Sequence, residues 1–292
     1  MRKRIAVIGA GIAGATAARA LHERGHSVVV FDKGRGPGGR ASTRTEGSWV
    51  FDHGAQYFTA KDPRFQAQVN KWRERGVVAE WGAGIYSYDG TLQRAGSNTM
   101  RYVGVPGMSS LSRDLLEGLD CRFGTEVKVL PDADQVIVTL PPEQAAALTG
   151  VSLEHAMQPV WCVMLGFAQA VNELGGVFVN EGALSWIARN SSKPGRPPHE
   201  TWVLHATAAW SAAHLDAGDI VTPLFDETQR VLGCALPAPA FAKAHRWRYA
   251  RPDRSVGLLT YRQGDIHFAG DWLAGGRVEG AFLSGLAAAE QI

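Results

Sequence analysis

The 292-residue sequence predicts an α/β protein: a Rossmann-like dinucleotide domain built on a parallel sheet, with an α+β domain inserted into it. Three observations carry this. Residues 4–32 read strand, helix, strand within about thirty residues, the opening of a doubly wound sheet. Residues 265–292 return to that texture, with an apolar strand (DIHFAGD), a Gly-Gly turn and an Ala-rich helix (VEGAFLSGLAAAEQI). Between them, from 160 to 250, strand-like segments carry five of the nine tryptophans.

Taken in order, RIAVIG (4–9) is a short apolar run, hence a buried strand, and residues 12–24 are an Ala-rich helix closed by Leu21 and stopped at Gly25. HSVVVFD (26–32) is the second strand, and GRGPGGR (34–40) is too rich in Gly and Pro to be anything but a loop. Residues 61–76 place Phe65, Val69 and Trp72 on one side of an amphipathic helix. A short helix follows VGVPGMSS, with Leu111, Leu115 and Leu116 facing inward. EVKVL (126–130) and QVIVTLP (135–141) read as strands, and PPEQAAALTG as a helix opened by proline. WCVMLGFAQ, GALSWIARN, TWVLHATAAW and AKAHRWRYA read as strands, with SSKPGRPPHE (191–200) a loop among them. The expected division is 1–58, 100–150 and 256–292 for the dinucleotide domain, and 59–99 and 151–255 for the substrate domain.

Composition narrows the function. A net charge of +2 gives no reason to expect a nucleic-acid partner. Cys121, Cys162 and Cys234 form no CxxC pair, which points away from a zinc site or disulfide framework and towards a reducing, cytoplasmic setting; no metal is expected. The basic, then apolar N-terminus imitates a signal peptide, but it is glycine-rich and continues into the first βαβ unit. No apolar stretch reaches the length of a membrane span, so no membrane partner is expected.

Gly9, Gly11 and Gly14 form GxGxxG between a strand and a helix: Gly9 for the turn, Gly11 for approach to a pyrophosphate, Gly14 for helix–sheet packing. Asp32, with Lys33 beside it, ends the second strand where an acid binds ribose hydroxyls, which leaves FAD or NAD. GRGPGGRAST resembles the extended FAD signature of the flavin amine oxidase superfamily, which implies Arg40 along the pyrophosphate and Gly39 near the flavin end. In the tail, Gly270 and Asp271 close a strand where ribityl hydroxyls bind, and the helix carrying Val278, Glu279 and Ala281 points its first amides at the flavin. No cysteine follows Cys234, so FAD is expected to be held non-covalently.

Together GAGIAG, GPGGRAST, DHGAQYFT, VGVPGMSSL, WIARNSSKPGR, TWVLHATAAWS, AHRWRYARP and GDWLAGGRVEGAFLSG resemble the bacterial renalase family across nearly the whole chain. The resemblance implies a two-domain amine oxidase/p-hydroxybenzoate hydroxylase-like architecture. It also implies oxidation of the 2- and 6-dihydro isomers of NAD(P)H to NAD(P)+, with hydride passing to flavin N5 and oxygen becoming hydrogen peroxide. Ala13, Arg40, Gln56 and Tyr57 match positions that contact FAD, and Val127 matches the residue whose backbone meets adenine. The connection between EVKVL and DADQVIV is shorter than in relatives. FDHGAQYFT (51–59) then runs beneath the flavin, Gly54 and Ala55 permitting close approach, with Gln56 and Tyr57 on the substrate side.

A carbon hydride donor has no heteroatom proton to remove, so no catalytic acid or base is expected. The site should stack a planar ring instead, and Trp186, Arg189, His205, Trp210, His245, Trp247 and Trp272 are its candidate lining, with Arg189 and Arg196 for substrate phosphates. The alternatives are an amine oxidase, which usually carries a lysine near the flavin, and a non-catalytic FAD- or NAD-binding sensor. None of the seven lysines lies in the strands from 160 to 190. The resemblance leaves monomer and homodimer open.

Overall fold

Strand Arg4–Ile8 lies inside a six-stranded sheet because it is apolar on both faces. In the computed structural model, which describes all residues except 97, 98, 154, 255 and 256, it pairs in parallel with Gln135–Val138 and Ser27–Asp32. The sheet order is Thr260–Gln263, Ile266–Ala269, Gln135–Val138, Arg4–Ile8, Ser27–Asp32, Asp120–Phe123, antiparallel only at its first pair. Alternation along Arg4–Ile8 divides the core: Ile5 and Val7 face the cluster built on helices Ile12–Glu23 and Val278–Glu290, while Ala6 and Ile8 face Ala145, Phe268 and Trp272. Helix Pro63–Glu74, capped by the Asp62 carboxylate, buries Phe65, Val69 and Trp72, with Phe65 5.1 Å from Phe282 of the last helix.

The seven-stranded second sheet runs Phe241–Pro252, Met157–Phe167, Glu200–Ala206, Leu184–Arg189, Gly176–Val179, Ile85–Tyr88, Leu92–Arg94. It is antiparallel except where Gly176–Val179 meets Ile85–Tyr88. One face buries Val163, Leu165, Ile187 and Leu204 under helix Val221–Leu232, and the other receives Phe51 from the hairpin Thr43–Glu46/Trp49–Asp52 against Cys162, Met164 and Val203.

Two sequence expectations need correcting. Residues 126–130 are not a strand: the partner of Ser27–Asp32 is Asp120–Phe123, and the chain leaves the ladder at Gly124. The alternation of EVKVL instead packs Val127 and Leu130 onto the core while Val129 stays exposed. The segment 201–210 stops being strand at Ala206, because the Thr207 hydroxyl caps helix Ala208–Ala213 and carries Trp210 away on it. The hairpin at 43–52, helix Val221–Leu232 and strand Gly176–Val179 are additions to the sequence reading. The expected boundary at 255/256 lies outside the described residues.

Candidate active site

The carboxyl ends of four parallel strands open on one cavity of about 1480 Å³, where Ile8 and Gly9, Phe31 and Asp32, Thr139 and Leu140, and Gly270 and Asp271 all emerge. This is the crevice where doubly wound sheets bind their ligands. Its far wall comes from the second sheet: Val160, Phe178, Ser185, Trp186, His205 and the run from His245 to Arg251. The volume exceeds that of a single drug-sized ligand, leaving room for a dinucleotide and a second guest.

Two helix N-termini face this cavity without a side-chain cap. Helix Ile12–Glu23 begins after Gly11 with no acid in its first turn, so its positive end is open to an anion. Helix Val278–Glu290 begins after Arg277, and the Glu279 carboxylate is turned outward to accept the Lys61 and Asp62 amides at 2.6 and 2.7 Å. Gly9 holds φ +109°, and a side chain at Gly14 would strike the Gly9 carbonyl, which is why the helix starts so close to the sheet. Asp32 is fixed by the Ala10 and Gly34 amides at 2.7 and 2.6 Å, with its carboxylate at the cavity wall. Arg40 and Asp271 meet in a half-buried ion pair (3.0 Å, Nη1 to Oδ2), and Arg40 also donates to the Ala250 carbonyl. A side chain at Gly54 would collide with the Arg40 carbonyl and crowd Trp247.

The cavity brings together most of the residues singled out from the sequence: Gly9, Gly11, Ala13, Asp32, Lys33, Gly39, Arg40, Gly54, Ala55, Gln56, Tyr57, Val127, Trp186, His205, His245, Trp247, Gly270, Asp271, Val278, Glu279 and Ala281. It does not bring in Gly14, which packs against the Gly9 carbonyl at the helix start, nor four others. Arg189 is paired with Glu200 at 2.9 Å, Trp210 stacks on His214 at 4.0 Å, Trp272 is buried in the core behind the parallel sheet, and Arg196 is buried on Asp52. Each spends its polar or aromatic surface on the protein itself, so none is a wall of the site.

Beneath the floor lies a charge cluster absent from the sequence reading. Asp52 is fully buried between Lys193 and Arg196, with Lys193 Nζ 3.3 Å from its carboxylate, 3.0 Å from Asn190 Oδ1 and 3.1 Å from Gln56 Oε1. Burial alone would raise the Asp52 pKa, but Lys193, Arg196 and the Met108 amide more than offset it and hold the carboxyl below its usual range. Burial pulls Lys193 down to about 8 against the pull of Asp52. Gln56 donates to the Asp52 and Gly54 carbonyls while accepting from Lys193, so its amide is committed inward.

The imidazoles at the aromatic end are uncharged. Burial, followed by neighbouring cationic groups, lowers His53 to about 3, and burial lowers His205 and His245 to about 4 each. Geometry agrees: His205 Nε2 and Trp247 Nε1 both donate to the His53 carbonyl, and His245 Nδ1 accepts from Arg44 at 3.3 Å, which requires an unprotonated nitrogen there. Tyr57, Phe178 and Trp186 pack edge to face and tilted beside them. Arg101 and Phe178, absent from the sequence expectations, are also walls; Arg101 sits over the Tyr57 and Phe178 rings.

A Rossmann crevice with two open helix N-termini, an acid at the end of its second strand and an aromatic far wall defines a dinucleotide-binding protein. Residues 7–72 match the NAD(P)-binding Rossmann-like domain, and residues 117–292 match the flavin containing amine oxidoreductase family. The chain belongs to that family, and FAD is its cofactor. The residues present fit the group: the open helix ends suit its pyrophosphate, Asp32 its ribose, and Gly54 leaves the floor clear. A putrescine oxidase triple mutant superposes with a TM-score of 0.77 at 16% identity, covering 99% of this chain and 98% of the other. The cyclohexylamine oxidase of Brevibacterium oxydans IH-35A gives 0.75 at 14%, covering 100% and 98%. The bifunctional protein MnmC of tRNA 5-methylaminomethyl-2-thiouridine biosynthesis from Marinobacter nauticus is 49% identical over 53 residues; this match covers 18% of the chain and 8% of the relative's length. The protein is thus a flavin-dependent oxidoreductase. Among the described residues no helix is long and apolar enough to cross a membrane.

Proposed function

We propose that this flavoprotein oxidises the 2- and 6-dihydro isomers of NAD(P)H to NAD(P)+, as its resemblance to bacterial renalases implies. The observation that carries this reading is the charge of the cavity wall. Nine lysines and arginines line it against four carboxylates. Asp32, Asp271 and Glu279 are already bonded to amides or to Arg40, which leaves Glu126, exposed at the rim. Such a wall repels a cationic amine and attracts a phosphorylated guest.

The aromatic end suits the other half of that guest, a planar nicotinamide ring. Tyr57, Trp186 and Trp247 supply flat apolar surface, and the uncharged His205 and His245 impose no cation beside a ring that becomes positive on oxidation. Held by the open helix ends and Asp32, FAD would supply a two-electron acceptor for the hydride leaving C2 or C6, with oxygen as the final oxidant; that hydrogen, its two electrons and one solvent proton would leave as hydrogen peroxide. The chain's part is to orient the ring and exclude water. In this reading residues 1–58, 100–150 and 256–292 hold FAD and the remainder shapes the substrate pocket.

A second reading, oxidation of a small amine, draws on the family and on Lys193, buried against Gln56 just beyond the strands without lysines. Anaerobic mixing decides between them. Bleaching of the flavin band near about 450 nm by 6-dihydro-NAD and not by simple amines supports the proposal; bleaching by amines alone overturns it.

A further inference from the structure

We propose that Arg101 is a specificity-determining residue that binds the substrate's phosphate, in a subsite of its own on the far side of the cavity from the Rossmann crevice. The inference rests on the dihydronicotinamide reading and names how that substrate's anionic half is held.

Segment 101–102 is fixed rigidly. Trp81 donates its amide to the Arg101 carbonyl at 2.8 Å, and Tyr102 exchanges backbone hydrogen bonds with Phe58 at 2.8 and 2.9 Å. From there the half-buried Arg101 side chain lies over two cavity rings, with its guanidinium carbon 5.4 Å from the Tyr57 centroid and 6.0 Å from Phe178. Stacking of this kind uses the flat face of the guanidinium and leaves its in-plane fork of five N–H donors open. One of them reaches the Thr99 carbonyl at 3.3 Å. The Nε–H is buried with no acceptor, and among the described residues no carboxylate lies within ion-pair distance of this guanidinium.

Two other cavity arginines are committed. Arg40 is paired with Asp271, and Arg246 donates to the Leu215 carbonyl while stacking on Trp161. Trp186, packed on both Tyr57 and Phe178, adds a second buried N–H without an acceptor. A half-buried guanidinium on the cavity wall, with no carboxylate beside it among the described residues, leaves its Nη edge to an anion from the cavity. A phosphate matches it, since two of its oxygens fit the guanidinium fork bidentately while a neighbouring planar ring lies against the aromatics.

The test uses FAD-loaded enzyme with Arg101→Met and Arg101→Lys. Equilibrium dialysis against inorganic pyrophosphate, and flavin-absorbance titrations with NAD+ and with phosphate-free nicotinamide riboside, give the dissociation constants. Arg101→Met should weaken pyrophosphate and NAD+ by about 10- to 100-fold and the riboside by less than about twofold; Arg101→Lys should recover part of the loss as a monodentate cation. Unchanged pyrophosphate binding in Arg101→Met, or an equal loss for riboside and NAD+, overturns the proposal. Should the Met variant not fold, the Lys variant decides alone: pyrophosphate binding as tight as in the unaltered protein is the refuting result. If 6-dihydro-NAD fails to reduce the unaltered enzyme, the substrate reading falls, while the pyrophosphate measurement still judges Arg101 by itself.

Discussion

Acidification should destabilise this protein well above the range where its carboxylates titrate, because it holds uncharged imidazoles around the cavity. His53 and His205 have folded pKa values of about 3 and about 4, both below the ordinary histidine value. For a base whose folded pKa is lowered, the unfolded chain binds the proton first, so stability is full above the unfolded value near about 6.5 and drains away as pH falls towards the folded one. Between pH ~7.5 and ~5.5 each of the two contributes about 1.3 kcal/mol of loss, about 2.7 kcal/mol together. That is a large fraction of the ~5–15 kcal/mol that holds a typical domain folded. His245, more exposed, and His267 act in the same direction. Urea melts across this window measure the slope, and His205→Gln should remove about half of the two-histidine loss. Side-chain NMR of the imidazoles is the direct check. A midpoint near pH ~6.5 for either His53 or His205, or a urea midpoint that does not move, refutes the reasoning.

Asp32→Ala removes the acceptor of the Ala10 and Gly34 amides together with the acid proposed to bind the ribose. It should purify with much less FAD, read from the ratio of flavin to protein absorbance, and full occupancy counts against the assignment. Gly54→Ala drives a methyl into the Arg40 carbonyl, at a cost of about 1–3 kcal/mol and with reduced flavin content; a variant as stable and as yellow as the parent contradicts the floor packing. Lys193→Met leaves Asp52 with one cation and strips Gln56 of its donor. A loss of about 3 kcal/mol in denaturant titrations is expected, and a change below about 1 kcal/mol would show the cluster to be slack.

The crevice was legible because its parts are local. Gly9, Gly11, Gly14 and Asp32 fall inside one βαβ unit, where spacing alone dictates which backbone atoms meet a phosphate. The tail was legible for the same reason, Asp271 and Val278 closing a strand and opening a helix. The far wall was harder. An aromatic in a strand faces one of two sides, and sequence does not say which side is the cavity. Trp186 and Trp247 fell on it, whereas Trp210 was carried off on a helix and Trp272 turned into the core. Arginine was least legible, since Arg196 found the Asp52 carboxylate 144 residues away, Arg189 found Glu200 across a loop, and Arg101 pairs with none among the described residues. The signal that could have exposed the floor cluster is Asp52 itself, an acid ending an apolar hairpin strand and therefore certain to need a buried cation.

The Arg40–Asp271 pair joins residues 231 apart in sequence, and strand Ile266–Ala269 lies beside Gln135–Val138 in the same ladder. On a ribosome adding about 5–20 residues per second, the opposite jaw follows the glycine loop by roughly twelve to fifty seconds. Until then the nascent polypeptide carries half a vessel with an unzipped seam along Gln135–Val138. Both halves of the grip exist only after strand Ile266–Ala269 has docked, so tight loading with the vitamin-derived group should follow that docking.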